Sequence, residues 1–353
     1  MILNIYDSDL NIQGIIDVFE ALLWVQSFKE VVTFRLICAD TAENRNLLKV
    51  NYIIRRTNEN NGMTVTTVTR KDGKITATGY DLKYILQIRV VRNSIFENSL
   101  FYTLKQYLEN VDTGFIFDEN TENIDAAIPD VTLNDFNNNL YSLYLKAIND
   151  TEIAVYPYID FKNKKYHIKM TQVKIKTENG IPLKLTEKND DLLNITHIND
   201  SVGTATCIYC QCEDIPDDVE TPDGIPTLIY EKVAPTNIFE RHELKIKTQP
   251  IIKTSQKVTE NGTVTYKYVD YQATLNEMTL QAIANYRTTS EAIKADINLQ
   301  ARHQYIIGEK VCVNENEEKI ITETEEQWDS AGYQYKITVG DRQRTIIDKI
   351  NEV

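Results

Sequence analysis

The stretch TVTTVTRKDGKITATGYDLKYILQIR, residues Thr64 to Arg89, restricts the fold more than any other part of the chain. Val65, Thr67 and Thr69 alternate with Thr66, Val68 and Arg70, and Ile75 and Ala77 resume the alternation after Asp72-Gly73. An Asp-Gly pair between two alternating runs signals a hairpin, because the turn needs positive φ and glycine takes it without a Cβ clash. After Gly79 the apolar positions become Leu82, Ile85 and Leu86, one face of a helix. Neighbouring segments are also strand-like: Ile2 to Tyr6 alternates, Val31 to Cys38 (VVTFRLIC) is β-branched and alternating, and Asn51 to Arg55 adds another run. Gly14 to Trp24 reads two ways. Ile15, Val18, Phe19, Leu22 and Leu23 fit a helix, while Ile15-Ile16 and Leu22 to Val25 fit buried strands on either side of residues 17–20.

Beyond Arg92 the periodicity changes. Leu100, Leu104, Tyr107 and Leu108 predict a helix over Asn98 to Glu109, and Leu140, Tyr144 and Ile148 a second one. A hairpin follows, Ile153 to Phe161 and Tyr166 to Ile175 around Asn163, so residues 92–175 form a small α+β module. Strands resume at Val202 to Glu213 and Thr227 to Glu231, separated by an acidic, proline-punctuated loop at 213–224. Thr274 with Glu277 reads as a capping box for a helix over about 274–288, whose apolar face is Leu275, Met278, Ala282, Ile283 and Tyr286. Ile293 to Ala301, Ile306 to Val313, Glu318 to Thr324 and Tyr333 to Val339 read as strands of a closing antiparallel sheet.

At 353 residues the chain exceeds one ordinary core, so two to four modules are expected. Its net charge is −14, with a pI near 4.9. High-affinity DNA binding needs clustered Lys and Arg to release counterions, so this balance argues against it, while leaving room for DNA that passes without sticking. No apolar run approaches the ~20 residues of a membrane helix, and no signal peptide precedes Asp7, which points to synthesis and assembly in a cytoplasm. Five cysteines in so long a chain do not make a disulfide framework.

Chemistry leaves little trace. Cys207, Cys210 and Cys212 offer a C-x2-C with His197 nearby, but a strand sends Cys207 to one face and the other two to the opposite one, and no second pair exists. Buried strand is the better reading. Asp217, Asp218 and Asp223 supply oxygen in the acidic loop without the spacing of a calcium loop, and a solvated loop is the plainer account. His242-Glu243 begins like a zinc-peptidase helix, yet the position that needs the second histidine is Ile246. Of the four histidines (His167, His197, His242 and His303) none falls in a ligand pattern. No phosphate loop, nucleophile elbow or dinucleotide fingerprint occurs. The expectation is therefore no enzyme, no cofactor, no metal and no catalytic residue.

Several pieces, taken in order, are more specific. They are Ile5-Tyr6-Asp7 with Leu10; Gly14 to Asp17; Leu23-Trp24 before a strand holding Phe34; the V-T-R-K-D-G-K-I-T-A-T-G-Y-D-L run with Leu86 and Arg89; Tyr305 to Val313; Ile321 to Tyr333; and Val339-Gly340-Asp341. This succession resembles the tail hub proteins of tailed bacteriophages, the N-terminal module of siphophage tail-associated lysins, similar in fold to baseplate hubs of contractile tails. The resemblance implies a mainly β chain with an α+β insertion: two tube-like antiparallel β-barrel domains plus a small α+β domain. Residues 1–91 would begin the first barrel, 92–175 form the insertion, 176–245 complete that barrel, and 246–353 make the second. It further implies a homotrimeric ring at the virion tail tip that adapts a hexameric tail tube to three-fold symmetry and lets genome DNA pass without specific binding. Its partners would be a distal tail or tail-tube protein and a fibre, spike or tape-measure protein. Relatives often continue into a lysin or fibre domain, and here the sequence stops at Val353, so lytic activity is expected on a partner. The acidity would suit a lumen that must not hold DNA. The channel-lining residues are not readable at this stage.

Two other functions compete. A cell-wall hydrolase would use carboxylates hidden among the 52 acids. A host-surface carbohydrate binder would use tyrosines such as Tyr156, Tyr158 and Tyr166, although tyrosine is also an ordinary strand residue. Trp24 and Trp328 read as core or interface anchors.

Overall fold

The computed structural model describes residues 1–57, 59–89, 102, 105, 115–118, 140–148, 151–175, 177–178, 181–185, 192–200, 205–232, 241–259, 262–286, 290–302, 305–314 and 317–340. The chain divides into two compact units, the first made of Met1–Ile128, Asn138–Ile198 and Glu291–Val353, the second of Pro129–Asn137 and Asn199–Ser290.

The first unit opens with β1 (Leu3–Tyr6), β2 (Ile12–Ile16), β3 (Ala21–Ser27), β4 (Thr33–Ala39), α1 (Ala42–Leu47), β5 (Ile53–Arg56), β6 (Met63–Lys71), β7 (Lys74–Asp81) and α2 (Tyr84–Gln87). The two readings of Gly14 to Trp24 resolve in favour of strands: Leu22 and Trp24 reach the core, and Val18 stands 78% exposed between the strands, where an amphipathic helix would have buried it. The β6–β7 hairpin is as expected, with Asp72 at φ 53 and Gly73 at φ 73, both positive as the tight turn requires. Helix α1 was not foreseen. Its signal is Thr41, whose side chain accepts from Asn44 N and caps the first turn.

Next come β8 (Phe115–Phe117), α3 (Leu140–Ile148), β9 (Ile153–Asp160) and β10 (Lys165–Gln172). Leu140, Tyr144 and Ile148 are fully buried along α3, as their spacing predicts. Strands β8, β10 and β9 make a three-stranded sheet, with Lys164 at φ 53 in the turn. The helix expected over Asn98 to Glu109 lies outside the described residues, apart from positions 102 and 105. Short strands β11 (Lys174–Ile175), β12 (Thr177–Glu178) and β13 (Ile181–Pro182) lead to β14 (Leu192–Asp200).

The second unit holds β15 (Cys207–Cys212), β16 (Thr227–Tyr230), β17 (Glu243–Thr248), the hairpin β18 (Ile252–Thr259) and β19 (Gly262–Val269), and α4 (Tyr271–Asn285). Leu275, Met278, Ala282 and Tyr286 join Ile208, Cys210 and Cys212 in one core, whereas Ile283 remains 42% exposed. Helix α4 starts three residues earlier than expected. Asp270 is its N-cap, accepting from Ala273 N at 3.1 Å, and aspartate there outcompetes a threonine cap further on. Thr274 lies inside the first turn instead, fully buried, and its hydroxyl accepts from Ile251 N at 3.1 Å.

The chain returns to the first unit with β20 (Ser290–Ile297), β21 (Glu309–Asn314), β22 (Glu317–Asp329) and β23 (Gly332–Gly340). They join the early strands in one 13-stranded sheet of order β14-β20-β23-β22-β3-β4-β7-β6-β5-β1-β2, with β11 and β21 attached beside β22. Within 176–245, only β14 enters the large sheet, against β20, and β15 pairs with β16 and β17 in a sheet of its own. β15 finds an antiparallel neighbour 15 residues on, in β16, and a helix, α4, that covers the face holding Cys210 and Cys212.

Candidate functional site

The joint of the large sheet is β22 against β3, with Glu325 opposite Val25, Glu326 opposite Trp24 and Gln327 opposite Leu23. Alternation then sorts side chains across seven neighbouring strands. Toward the core run Val68, Ala77, Leu36, Leu22, Trp328 and Tyr333, each opposite the next. Toward the other face runs the parallel row Thr67, Thr78, Arg35, Leu23, Gln327 and Gln334. Beside it lie Thr69, Thr76, Ile37 and Ala21, and on the far side Glu325, Lys336 and Asp296. This face mixes threonines and uncharged residues with charges of both signs: Arg35 stands in its central row, Lys71 pairs with Lys74 at the hairpin end, and Lys336 lies between Glu325 and Asp296. The net acidity of the chain is not concentrated on it.

Behind the sheet lies a buried ionic cluster. Arg56 is 8% exposed and stacks 5.0 Å from the Trp24 ring. Its Nη1 donates to Glu326 Oε1, and its Nη2 lies 2.8 Å from Glu59 Oε1. Tyr333 donates to Glu326 Oε2 at 2.5 Å and receives from Arg302 Nη1 at 2.9 Å. Burial pushes the Glu59 carboxyl up, with Arg56 opposing, and burial likewise raises Asp81, which pairs with Lys83 Nζ at 2.9 Å. Arg56, Glu59, Asp81 and Lys83 of this group border a cavity of about 480 Å³ lined also by Phe28, Asn61, Met63, Tyr156, Lys169 and Gly308. Nothing in the sequence pointed to it, because its walls come from segments some 250 residues apart.

The residues singled out from sequence do not converge. Cys207, Cys210 and Cys212 are buried in β15, and Cys207 Sγ accepts from Arg241 Nη2 at 3.1 Å; burial pushes the Cys212 thiol up to about 11. In the acidic loop Asp218 pairs with Lys267 at 3.1 Å. His242 and Glu243 meet the start of a strand rather than a helix, and His303 lies outside the described residues. His167 stacks on Tyr158 at 5.0 Å and faces Asp118 at 3.6 Å, while burial and then Asp118 push Tyr158 up to about 12. Tyr156 and Tyr158 share one face with Lys169, and Tyr166 packs on the other. Trp24 is wholly buried, and Trp328 packs against the same core and Tyr333. Among the described residues no group of three or more His, Cys, Asp or Glu is placed to hold a metal, and no helix is long and apolar enough to cross a membrane.

The fold matches those of solved phage tail proteins. Over 99% of this chain and 97% of the other, it matches prophage tail protein gp18 from Listeria monocytogenes EGD-e at 13% identity and a TM-score of 0.52. The 43 kDa tail protein of prophage MuSo2 from Shewanella oneidensis matches over 96% and 98% at 13% identity and 0.52, and the tail protein from Neisseria meningitidis MC58 over 98% and 98% at 8% and 0.51. In sequence, residues 2–108 match the family described as Siphovirus ReqiPepy6 Gp37-like protein. No curated protein matches the chain. The resemblance to tail proteins of tailed phages is borne out, and with it the mainly β fold.

Proposed function

We propose that the protein is the hub of a phage tail tip, a homotrimeric ring that continues the tail tube and lets DNA through. The observation that carries this reading is the joint between β22 and β3. It fuses two four-stranded runs, β14-β20-β23-β22 and β3-β4-β7-β6, into one wall. We assign these runs to the two tube-like barrel domains, so that three chains supply six runs around an axis, matching a six-fold tube with a three-fold ring.

Sheet edges favour such closure. At one end β14 carries Leu193, 69% exposed. At the other, β6 pairs with β5 only at Met63 and Thr64, so among the described residues Thr67 to Lys71 pair with β7 alone. Unprotected edges invite strands from a second chain. The open face would line the channel. Rich in threonines and uncharged residues, it holds few cations for a face spanning seven strands, and charges of both signs share it, which suits passage over tight phosphate binding. In this reading the ring sits at the virion tail tip between a tail-tube or distal tail protein and a fibre, spike or tape-measure protein, and performs no catalysis.

Light scattering on the purified chain, followed by negative-stain imaging of the same peak, tests this. A species of three times the 40.7 kDa chain mass with a central hole is expected. A stable dimer or a compact particle without a channel would overturn it, and a lytic band on host peptidoglycan would replace it with the hydrolase.

A further inference from the structure

Two strand edges of the second unit lie open and carry opposite charge. The first belongs to the β18–β19 hairpin, which pairs in continuous register from Ile252 opposite Val269 to Thr259 opposite Gly262 and forms a sheet of two strands only. Eight residues per strand make an arm roughly 25 Å long. Its described ties to the body lie at the base: Glu220 N donates to Lys267 O, Val269 N donates to Glu220 O, and Asp218 pairs with Lys267. A two-stranded ribbon is marginal in water by itself, so an arm with no third strand calls for one.

The second edge is β16, the outer strand of β16-β15-β17. Cys212 N donates to Pro226 O, and bonds of this kind recur at every second residue of an antiparallel pair. Thr227 and Ile229 therefore turn their backbone N–H and C=O outward, where among the described residues no strand meets them. Ile225 and Ile229 stand 54% and 63% exposed along this edge. An unpaired edge with exposed apolar side chains accepts an added strand.

Charge selects which strand. The arm holds Lys253, Lys257 and Lys267 against Glu260 alone, a net of +2, so the remainder of the chain carries −16. Lysines on an open edge deter pairing with an uncharged strand, and the acceptor has to bring acids. β16 follows Asp217, Asp218 and Asp223, all exposed, and among the described residues Asp217 and Asp223 have no ion pair. The Asp218–Lys267 pair is the same match of loop and arm, already made at the arm's base. Register places Lys253, Tyr266 and Tyr268 on one face of the arm, with Tyr266 exposed, so aromatic and basic groups stand together there. Within one chain the two edges do not pair.

We infer that the arm of one chain adds as a strand to the β16 edge of a second copy, with Tyr266 and Tyr268 on Ile225 and Ile229 and the lysines toward the acidic loop. Arm and edge are different surfaces, so the contact runs head to tail, the kind that closes rings. The inference rests on the ring proposed above for the number of copies, and on the two edges for the contact itself.

Cross-linking of the full chain with a short bismaleimide tests it, in the Ile229→Cys/Tyr266→Cys double variant, each single variant and the native chain. A covalent ladder of two and three chains is expected on a denaturing gel for the double variant alone. Ile229→Lys adds a like charge beside the arm at a side chain already facing solvent. It should raise the concentration at which the trimer dissociates about tenfold with unchanged circular dichroism, and adding Lys253→Glu should restore most of the loss. Trimers by light scattering with no ladder in the double variant, or with dissociation unmoved by Ile229→Lys, would overturn the contact and leave the ring standing. Cross-links confined to single chains would do the same. A native chain that stays single at every concentration would overturn ring and contact together.

Discussion

Gly79 lies on β7 opposite Val65, where the register of β6 shifts between Val65 and Thr67. A Cβ at this position would stand 1.8 Å from Thr64 O and 2.9 Å from both Thr64 C and Thr66 N. All three are backbone atoms, so no side chain can swing aside. Restoring a carbon contact distance of about 3.5 Å means moving β6 off β7 at the irregularity. Overpacking of this kind costs about 1–3 kcal/mol, and two weakened ladder hydrogen bonds add about 1 kcal/mol each. Gly79→Ala should therefore lose about 3–5 kcal/mol, a fall in melting temperature of roughly 10 °C for a unit of this size. Gly73→Ala is the control. Nothing lies within 4 Å of its Cβ, and the cost of its φ of +73° is about 1–2 kcal/mol. Melting followed by circular dichroism reads both variants. If Gly79→Ala loses no more than Gly73→Ala, close backbone approach is not why glycine stands in β7.

Three further outcomes are expected. Arg56→Met leaves Glu326 and Glu59 without their shared cation and should cost about 3–5 kcal/mol in urea unfolding, part of it recovered by adding Glu326→Gln. Glu59 has its folded-state carboxyl raised by burial, so the folded state binds its proton more tightly than the unfolded chain does; its contribution is fully present below the unfolded value near 4.5 and is lost as pH rises through the folded value. The melting temperature of the native chain should thus gain on that of Glu59→Gln as pH falls from 7 toward 5, and a pH-independent gap would refute the burial argument. Leu193→Lys places a charge on the exposed β14 edge and should abolish the trimer by light scattering while leaving the circular dichroism unchanged; a persisting trimer would move the interface elsewhere.

Much of the local structure was written in the residues. The Asp72-Gly73 turn, the alternation of β4, β6 and β7, and the buried spacing of Leu140, Tyr144 and Ile148 are set by φ preferences and side-chain period, which act over a few positions. The order of motifs was enough to point to phage tail proteins, though not to any site. Period two tells a strand which side chains share a face and says nothing about its partner. Tertiary structure alone therefore decided that β22 joins β3, that β15 takes β16 and β17 rather than the early strands, and that the open face is rich in threonine rather than acidic. It also decided that Arg56 serves two carboxylates, one three positions away and one on β22, because a buried guanidinium needs whichever acceptors the folded sheet brings within reach.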